Sequence, residues 1–245
     1  MGKKHKKRRK FIVTIGSVSY GNPFLSFARV TNRIRVLMKE KERVLAVLFT
    51  GGEDVSPPLY GGVNDRLSVT SSRRDDLEKK IFLYCKKNGI KMIGICRGIQ
   101  FLNVMSGGKM CQHVESHAGI EHSILYPALK ERHFVNSLHH QMVKLPENAI
   151  PVALAKPELC DWCFDENGKM SDPPSEEIEA AIFPKDNAIG VQFHPEMMGS
   201  GERGRIFFIN MMKDFLKYEM KDLISKYGYI GEKDGERSLL NSKSE

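Results

Sequence analysis

Cys96 stands in Gly94-Ile95-Cys96-Arg97-Gly98, between an apolar run at 91–95 and a stretch of helical spacing at 97–105 (Ile99, Leu102, Met105). A sharp strand-to-helix turn presents a nucleophile at its apex, and flanking glycines leave room for that turn. The following helix aims backbone N–H groups and a partial positive charge at the sulfur, which favours an anion there. A cysteine at a strand end can also be a small core residue. The glycines and the strand-to-helix switch favour the reactive reading.

A thiolate that attacks a carbonyl needs a base. His194-Pro195-Glu196 follows the apolar segment 189–193. Residues i and i+2 of an extended segment point the same way, so His194 and Glu196 share a side. Pro195 donates no hydrogen bond and suits a strand terminus. Glu196 would fix the imidazole tautomer and stabilise its charged form, as the third member of a triad does. Acyl transfer also needs donors for an oxyanion. The Arg97 N–H, directly after the nucleophile, is one candidate. The Gly52 N–H in Thr50-Gly51-Gly52-Glu53-Asp54-Val55 is the other, because glycine lets a ligand approach the backbone.

These groups must be carried by rigid elements. Residues 11–17, 44–50 and 91–95 read as buried strands, rich in β-branched and aliphatic side chains. Residues 24–41 carry Phe27, Val30, Ile34, Leu37 and Met38 at helical spacing and predict a helix. Residues 73–87 predict another, with Ser72 and Asp75 as a capping box and Gly89 as its stop. Strands alternating with helices define an α/β fold: a three-layer sandwich with a mainly parallel central sheet. Such sheets bind ligands at the carboxyl ends of their strands. After residue 108 the strands at 133–138, 150–155, 178–183 and 188–193 follow without long helices between them. They predict an antiparallel or mixed extension of the same sheet. Residues 203–227 predict a final amphipathic helix.

Three segments, TGGEDVSPPLYG (50–61), GICRGIQFLNVMSGG (94–108) and VQFHPE (191–196), together resemble the class I glutamine amidotransferase-like family. The similarity is greatest to its gamma-glutamyl-gamma-aminobutyrate hydrolase branch. Asn136-Ser137-Leu138-His139-His140-Gln141, and Arg74-Asp75 with Glu78, add to the likeness, which covers residues 11–218. The resemblance implies a flavodoxin-like three-layer domain and a Cys96–His194–Glu196 triad that attacks a γ-glutamyl amide through a γ-glutamyl thioester. It implies that Gln100, one turn after the elbow, holds the glutamyl group. His139 or His140 would line the pocket. No cofactor and no metal are expected. Glu53 and His113 depart from the branch, which usually has Gly and Asp there, so the departures bear on amine specificity. Three readings follow: a free-standing γ-glutamyl hydrolase, a glutaminase that passes ammonia to a separate synthetase or modifying enzyme, and a non-catalytic scaffold that keeps the fold.

The bulk composition narrows the setting. The chain has 245 residues and a net charge of +8, but seven of its 38 Lys and Arg lie in residues 3–10. The remaining 31 face 30 Asp and Glu, so the body is almost neutral and the basicity belongs to an arm. That arm (1–10) reads as disordered, able to bind a polyanion weakly or simply to solubilise. Residues 11–227 read as one catalytic domain and 228–245 as a polar flexible tail. Five cysteines do not suggest a secreted disulfide scaffold, and a reducing, cytoplasmic setting is expected. No apolar run approaches the ~18–20 residues that span a bilayer. The lone Cys160-Asp161-Trp162-Cys163 lacks two further zinc ligands at suitable spacing and reads as a loop. His113, His117, His122, His133, His139 and His140 are dense, but their spacing matches no ligand motif and they read as structural.

Overall fold

The computed structural model describes residues 10–63 and 68–229. Apart from Lys10, the expected arm lies outside the described residues, as does the expected tail beyond Tyr229. The first half supplies β1 (Phe11–Ile15), β2 (Arg29–Thr31), β3 (Val44–Phe49) and β4 (Lys91–Ile95). The second supplies β5 (Lys109–Cys111), β6 (His113–Val114), β7 (Ala118–Tyr126), β8 (Glu131–Leu138) and β9 (Met142–Lys144). It continues with β10 (Ile150–Ala155), β11 (Cys163–Phe164), β12 (Met170–Ser171), β13 (Ile178–Phe183) and β14 (Ala188–Val191).

Among the described residues, nine strands form one sheet in the order β2-β1-β3-β4-β14-β13-β10-β7-β8. Neighbours from β2 to β14 run parallel. Neighbours from β14 to β8 run antiparallel. The parallel sheet is therefore the half that ends at the predicted site segments, and the expected mixed extension begins where β13 pairs with β14.

Side chains alternate across a strand, so each strand feeds two core layers. Ile12, Ala46, Leu48, Ile93 and Ile95 pack on one face with Phe208, Met211, Met212 and Phe215 of α4 (Arg203–Lys217). Val13, Val47, Phe49 and Met92 pack on the other. There they meet Ile81, Phe82 and Cys85 of α2 (Ser72–Lys87) and Ile99, Phe101 and Leu102 of α3 (Arg97–Met105). Helices on both faces of one sheet give the expected three layers.

Three local expectations fail for tertiary reasons. Residues 24–41 are not one helix: a 3-10 turn (Val18–Phe24) leads to β2, and only α1 (Ile34–Lys39) is helical. The exposed edge of β1 captures the β-branched pair Val30 and Thr31, starting from the Arg29 N–H bond to the Lys10 carbonyl (2.9 Å). Residues 203–227 split into α4 and α5 (Met220–Tyr227), with Tyr218 and Glu219 extended between them. The break lets α5 fold back so that the Tyr227 hydroxyl donates to Asp214 at 2.7 Å. The capping box at Ser72 does not form either. Ser71 is the N-cap and makes no side-chain cap bond, because Asp75 is turned instead to Ser56 and Arg97.

Candidate active site

Parallel pairing decides which residues meet. Phe49 of β3 lies beside Gly94 of β4, and Ile95 of β4 lies beside Val191 of β14. Three adjacent strands thus end together, and the segments that follow them start at Thr50, Cys96 and Gln192.

Cys96 has φ +53° and ψ −112°, a conformation that non-glycine residues rarely hold. Its N–H donates to the Val191 carbonyl at 2.8 Å, and its own carbonyl accepts from Ile99 N–H at 3.1 Å. The chain therefore reverses within one residue from sheet to helix. Gly98 permits this: a Cβ there would lie 2.1 Å from the Phe49 carbonyl oxygen. Cys96 is 9% exposed, at the N-terminal end of α3.

His194 faces this turn. Its Nδ1 lies 2.7 Å from Glu196 Oε1, as the alternation of an extended segment requires. Asn136 of β8 clamps the backbone here, accepting from His194 N–H (2.9 Å) and donating to the His194 carbonyl (3.1 Å). Burial works against a charged imidazole. Hydrogen bonds to Cys96 and Glu196, and the negative charge on both, nevertheless push its pKa up to about 10. A protonated imidazole beside Glu196 and the Cys96 sulfur is the state this geometry favours.

Tyr20, in the 3-10 turn after β1, has its ring 5.8 Å from that of His194. Burial, then the charges of Glu196 and Cys96, push its phenol up to about 12, so it is a hydrogen-bond donor at neutral pH. No motif marks Tyr20. The only clue in the sequence is that it follows the carboxyl end of a parallel strand, where all such loops converge.

The loop at Gly52 is held from behind by α2. Arg74 Nη2 donates to the carbonyls of Thr50 and Gly51, both at 2.9 Å. A trans peptide is planar, so fixing the Gly51 carbonyl on Arg74 turns the Gly52 N–H the opposite way. Gly52 has φ +136°, and a Cβ there would strike Arg74 Nη1 at 2.1 Å. Arg74 also pairs with Glu78 (3.0 Å) and with half-exposed Glu53 (2.7 Å), which explains why a carboxylate is tolerated at position 53.

Arg97 is 1% exposed, and its guanidinium pairs with Asp75 and Glu78 of α2. A buried cation costs several kcal/mol unless it is fully paired. Two carboxylates pair its Nη1 and Nη2, leaving Nε without a hydrogen-bond partner, and lock the first turn of α3 against α2. In the sequence, Arg74 and Glu78 stand out only through the family resemblance, and Asp75 otherwise only as a capping residue. Their joint role appears once α2 lies beside α3.

The remaining predicted residues divide. Gln100 is buried on α3, with Nε2 donating to the Gln141 carbonyl at 3.3 Å. His140 is partly exposed and pairs through Nε2 with Asp54 of the Gly52 loop (3.2 Å). His113 lies beside it, 3.4 Å away between Nδ1 atoms. His139 is not in the pocket lining: it is 2% exposed and turned to Glu179 and the Gln141 carbonyl. An alternating backbone sends neighbouring side chains to opposite faces, so only His140 of the pair reaches the loop. Cys160 and Cys163 pack with Cys111 in a small buried cluster, with Cys111 and Cys163 sulfurs 3.4 Å apart. Burial raises the Cys111 thiol.

Residues 30–124 match the family described as Peptidase C26. The YvdE protein of Lactococcus lactis, named as glutamine amidotransferase-like, is 29% identical over 171 residues, 61% of this chain and 65% of that protein. The chain thus spans just under two thirds of this relative's length. The gamma-glutamyl-CDP-amidate hydrolase of Campylobacter jejuni is 28% identical over 157 residues, 64% of each chain. The structure of a glutamine amidotransferase from Thermotoga maritima superposes with a TM-score of 0.52, at 14% identity, over 89% of this chain and 85% of that one. The fold is that of the class I glutamine amidotransferases. The match to Peptidase C26 over residues 30–124, with the YvdE-like and γ-glutamyl amidate hydrolase relatives, supports the branch expected from sequence.

Proposed function

We propose that residues 11–227 act as one catalytic domain that hydrolyses γ-glutamyl amides through Cys96, His194 and Glu196. The observation that carries this reading is His194 held between Glu196 and Cys96 where three parallel strands end. The Cys96 thiolate attacks the γ-carbonyl, and the oxyanion of the tetrahedral adduct rests on the N–H groups of Gly52 and Arg97. The His194 imidazolium gives its proton to the departing nitrogen as the C–N bond breaks, leaving a γ-glutamyl thioester and a free amine or ammonia. Neutral His194 then takes a proton from water as that water attacks the thioester. Glutamate leaves and the thiolate is restored. Gln100 and His140 would contact the glutamyl group or the amine beyond it. No cofactor enters these steps.

The gamma-glutamyl-CDP-amidate hydrolase relative supports a γ-glutamyl amide as substrate. The test is a screen of γ-glutamyl amines and glutamine with detection of released glutamate. Turnover of at least one that vanishes in Cys96→Ala supports the reading, and full turnover in that variant would sink it.

A second reading, ammonia delivery to a separate enzyme, has its own observation. Phe134 (71% exposed) and Leu138 (46%) flank Asn136 on one face of β8, beside the segment that holds His194. An apolar rim next to a reactive centre suits a docked acceptor enzyme. Unchanged glutamine turnover in the presence of candidate acceptors would count against it. No helix among the described residues is long and apolar enough to cross a membrane.

A further inference from the structure

We propose that His117, His122, His139 and Glu179 form a buried site for a divalent first-row transition cation of the zinc class, separate from the Cys96 centre. The four come from the segment before β7, from β7, from the segment after β8 and from β13, and each is at most 5% exposed. Their ligand atoms all lie within 4.8 Å of one another.

The distances fit a coordination polyhedron. Zinc bonds to nitrogen and oxygen of about 2.0–2.1 Å give a tetrahedron with edges of about 3.3 Å. Glu179 Oε1 lies 3.5 Å from His117 Nδ1, 3.4 Å from His122 Nε2 and 3.3 Å from His139 Nε2. Three edges of the polyhedron therefore already stand near the required length, and small ring rotations bring the nitrogens to theirs.

The hydrogen-bonding pattern of the three imidazoles points the same way. Each imidazole turns its other nitrogen to an acceptor. His117 Nε2 meets Glu177 Oε2 at 2.9 Å, His139 Nδ1 meets the Gln141 carbonyl at 3.0 Å, and His122 Nδ1 meets the Ser123 carbonyl at 3.4 Å. Carbonyls and carboxylates accept only, so the protons sit on these outer nitrogens. The inner nitrogens then present three lone pairs to a carboxylate. His117 Nδ1, His122 Nε2, His139 Nε2 and both Glu179 oxygens have no hydrogen-bond partner among the described residues. Five buried acceptors facing one another repel, and a cation at their centre satisfies them together. Protonating the histidines instead would place imidazolium charges side by side, with the rings of His117 and His139 only 4.8 Å apart. Outward N–H bonds to carboxylate or carbonyl are the usual support of metal-bound imidazoles.

Three imidazoles and one carboxylate select zinc, cobalt, nickel or iron over magnesium or calcium, which take oxygen ligands. Four protein ligands with no solvent-facing position describe a structural site. Its effect on the reaction would be one of positioning. The Gln141 carbonyl that accepts from His139 also accepts from Gln100 Nε2 (3.3 Å) and Gln192 Nε2 (3.2 Å).

The test is elemental analysis of the full chain, free of any affinity tag and expressed with added zinc. About one zinc per chain is expected, retained in Cys163→Ser and lost in Glu179→Gln. If Glu179→Gln does not fold, the wild-type protein is stripped with a chelator and reloaded with cobalt(II). Visible ligand-field bands of a tetrahedral centre, without a sulfur-to-cobalt charge-transfer band, support the site. A sulfur band, or loss of the metal in Cys163→Ser, assigns the cation to the thiols and overturns the proposal. So does a protein that neither carries zinc nor takes up cobalt.

Discussion

Cys96 ends a parallel strand, and Glu179 lies within an antiparallel one. Around Cys96 the backbone is bent into a rare conformation, and the polar groups of Gly52, Arg97 and His194 gather where three strands stop. Around Glu179 the ladder between β13 and β10 slips by one residue, and the polar groups are sealed between strands with their inner atoms facing one another. A parallel sheet must bury its length on both faces, so its polar chemistry collects at the strand ends. An antiparallel extension can hold polar side chains within its length, provided something satisfies them. On the proposed reading the two halves separate reactive groups from positioning groups, and the Gln141 carbonyl, shared by Gln100, Gln192 and His139, joins them.

The contrast is sharpest for the nucleophile. Cys96→Ala should lower glutamate release on the order of 10⁴-fold or more, while urea unfolding stays close to wild type. Parallel loss of folding would mean that Cys96 serves the core as much as the chemistry. Glu196→Gln should lower kcat by about 10²–10⁴-fold, because the imidazolium loses its counter-charge and its tautomer is no longer fixed. A change below tenfold would remove Glu196 from the triad.

Much of this centre is legible in the chain because its parts are contiguous. The elbow around Cys96, His194-Pro195-Glu196 and the Gly51-Gly52 loop each read locally, and the register of three parallel strands only brings them together. Residues assembled from distant segments are not legible in this way. Tyr20 reaches the site from a 3-10 turn, Arg97 finds its partners on α2, and His117, His122 and His139 meet Glu179 across separations of 40 to 62 residues that no spacing rule covers. The predicted helix at 24–41 failed for a related reason. The edge of β1 offered hydrogen bonds that outweighed a local apolar period.

Arg97→Met probes a structural feature of the reactive half. It leaves Asp75 and Glu78 buried without their shared cation and should cost about 3–5 kcal/mol in urea unfolding. A loss under about 1 kcal/mol would show that the pairing merely breaks even. A pH titration adds a smaller effect with a definite sign. The His194 pKa is raised from 6.5 to about 10 in the folded protein. Its stabilising contribution is therefore complete below about pH 6.5 and declines as the pH rises to about 10. Imidazole ¹⁵N shifts should show His194 protonated at pH 8 in the wild type and titrating at lower pH in Cys96→Ala. Identical titrations in the two proteins would dissociate His194 from the thiol. The smallest effect expected is that of Tyr20→Phe, a loss of up to about tenfold in kcat/KM, in keeping with one neutral hydrogen bond. An unchanged kcat/KM would leave the hydroxyl without a part in the reaction.

The backbone at Cys96 has an evolutionary consequence. A sparsely populated positive-φ conformation at a non-glycine residue costs on the order of 1–3 kcal/mol. Glycine would relieve that cost, but it would also remove the sulfur. Selection for activity and selection for stability therefore oppose each other at this one position. In lineages that kept the fold after the reaction ceased to matter, drift should run toward glycine at position 96 before it reaches the surrounding core. The residue found there would then separate relatives still under selection for chemistry from those retained for their shape.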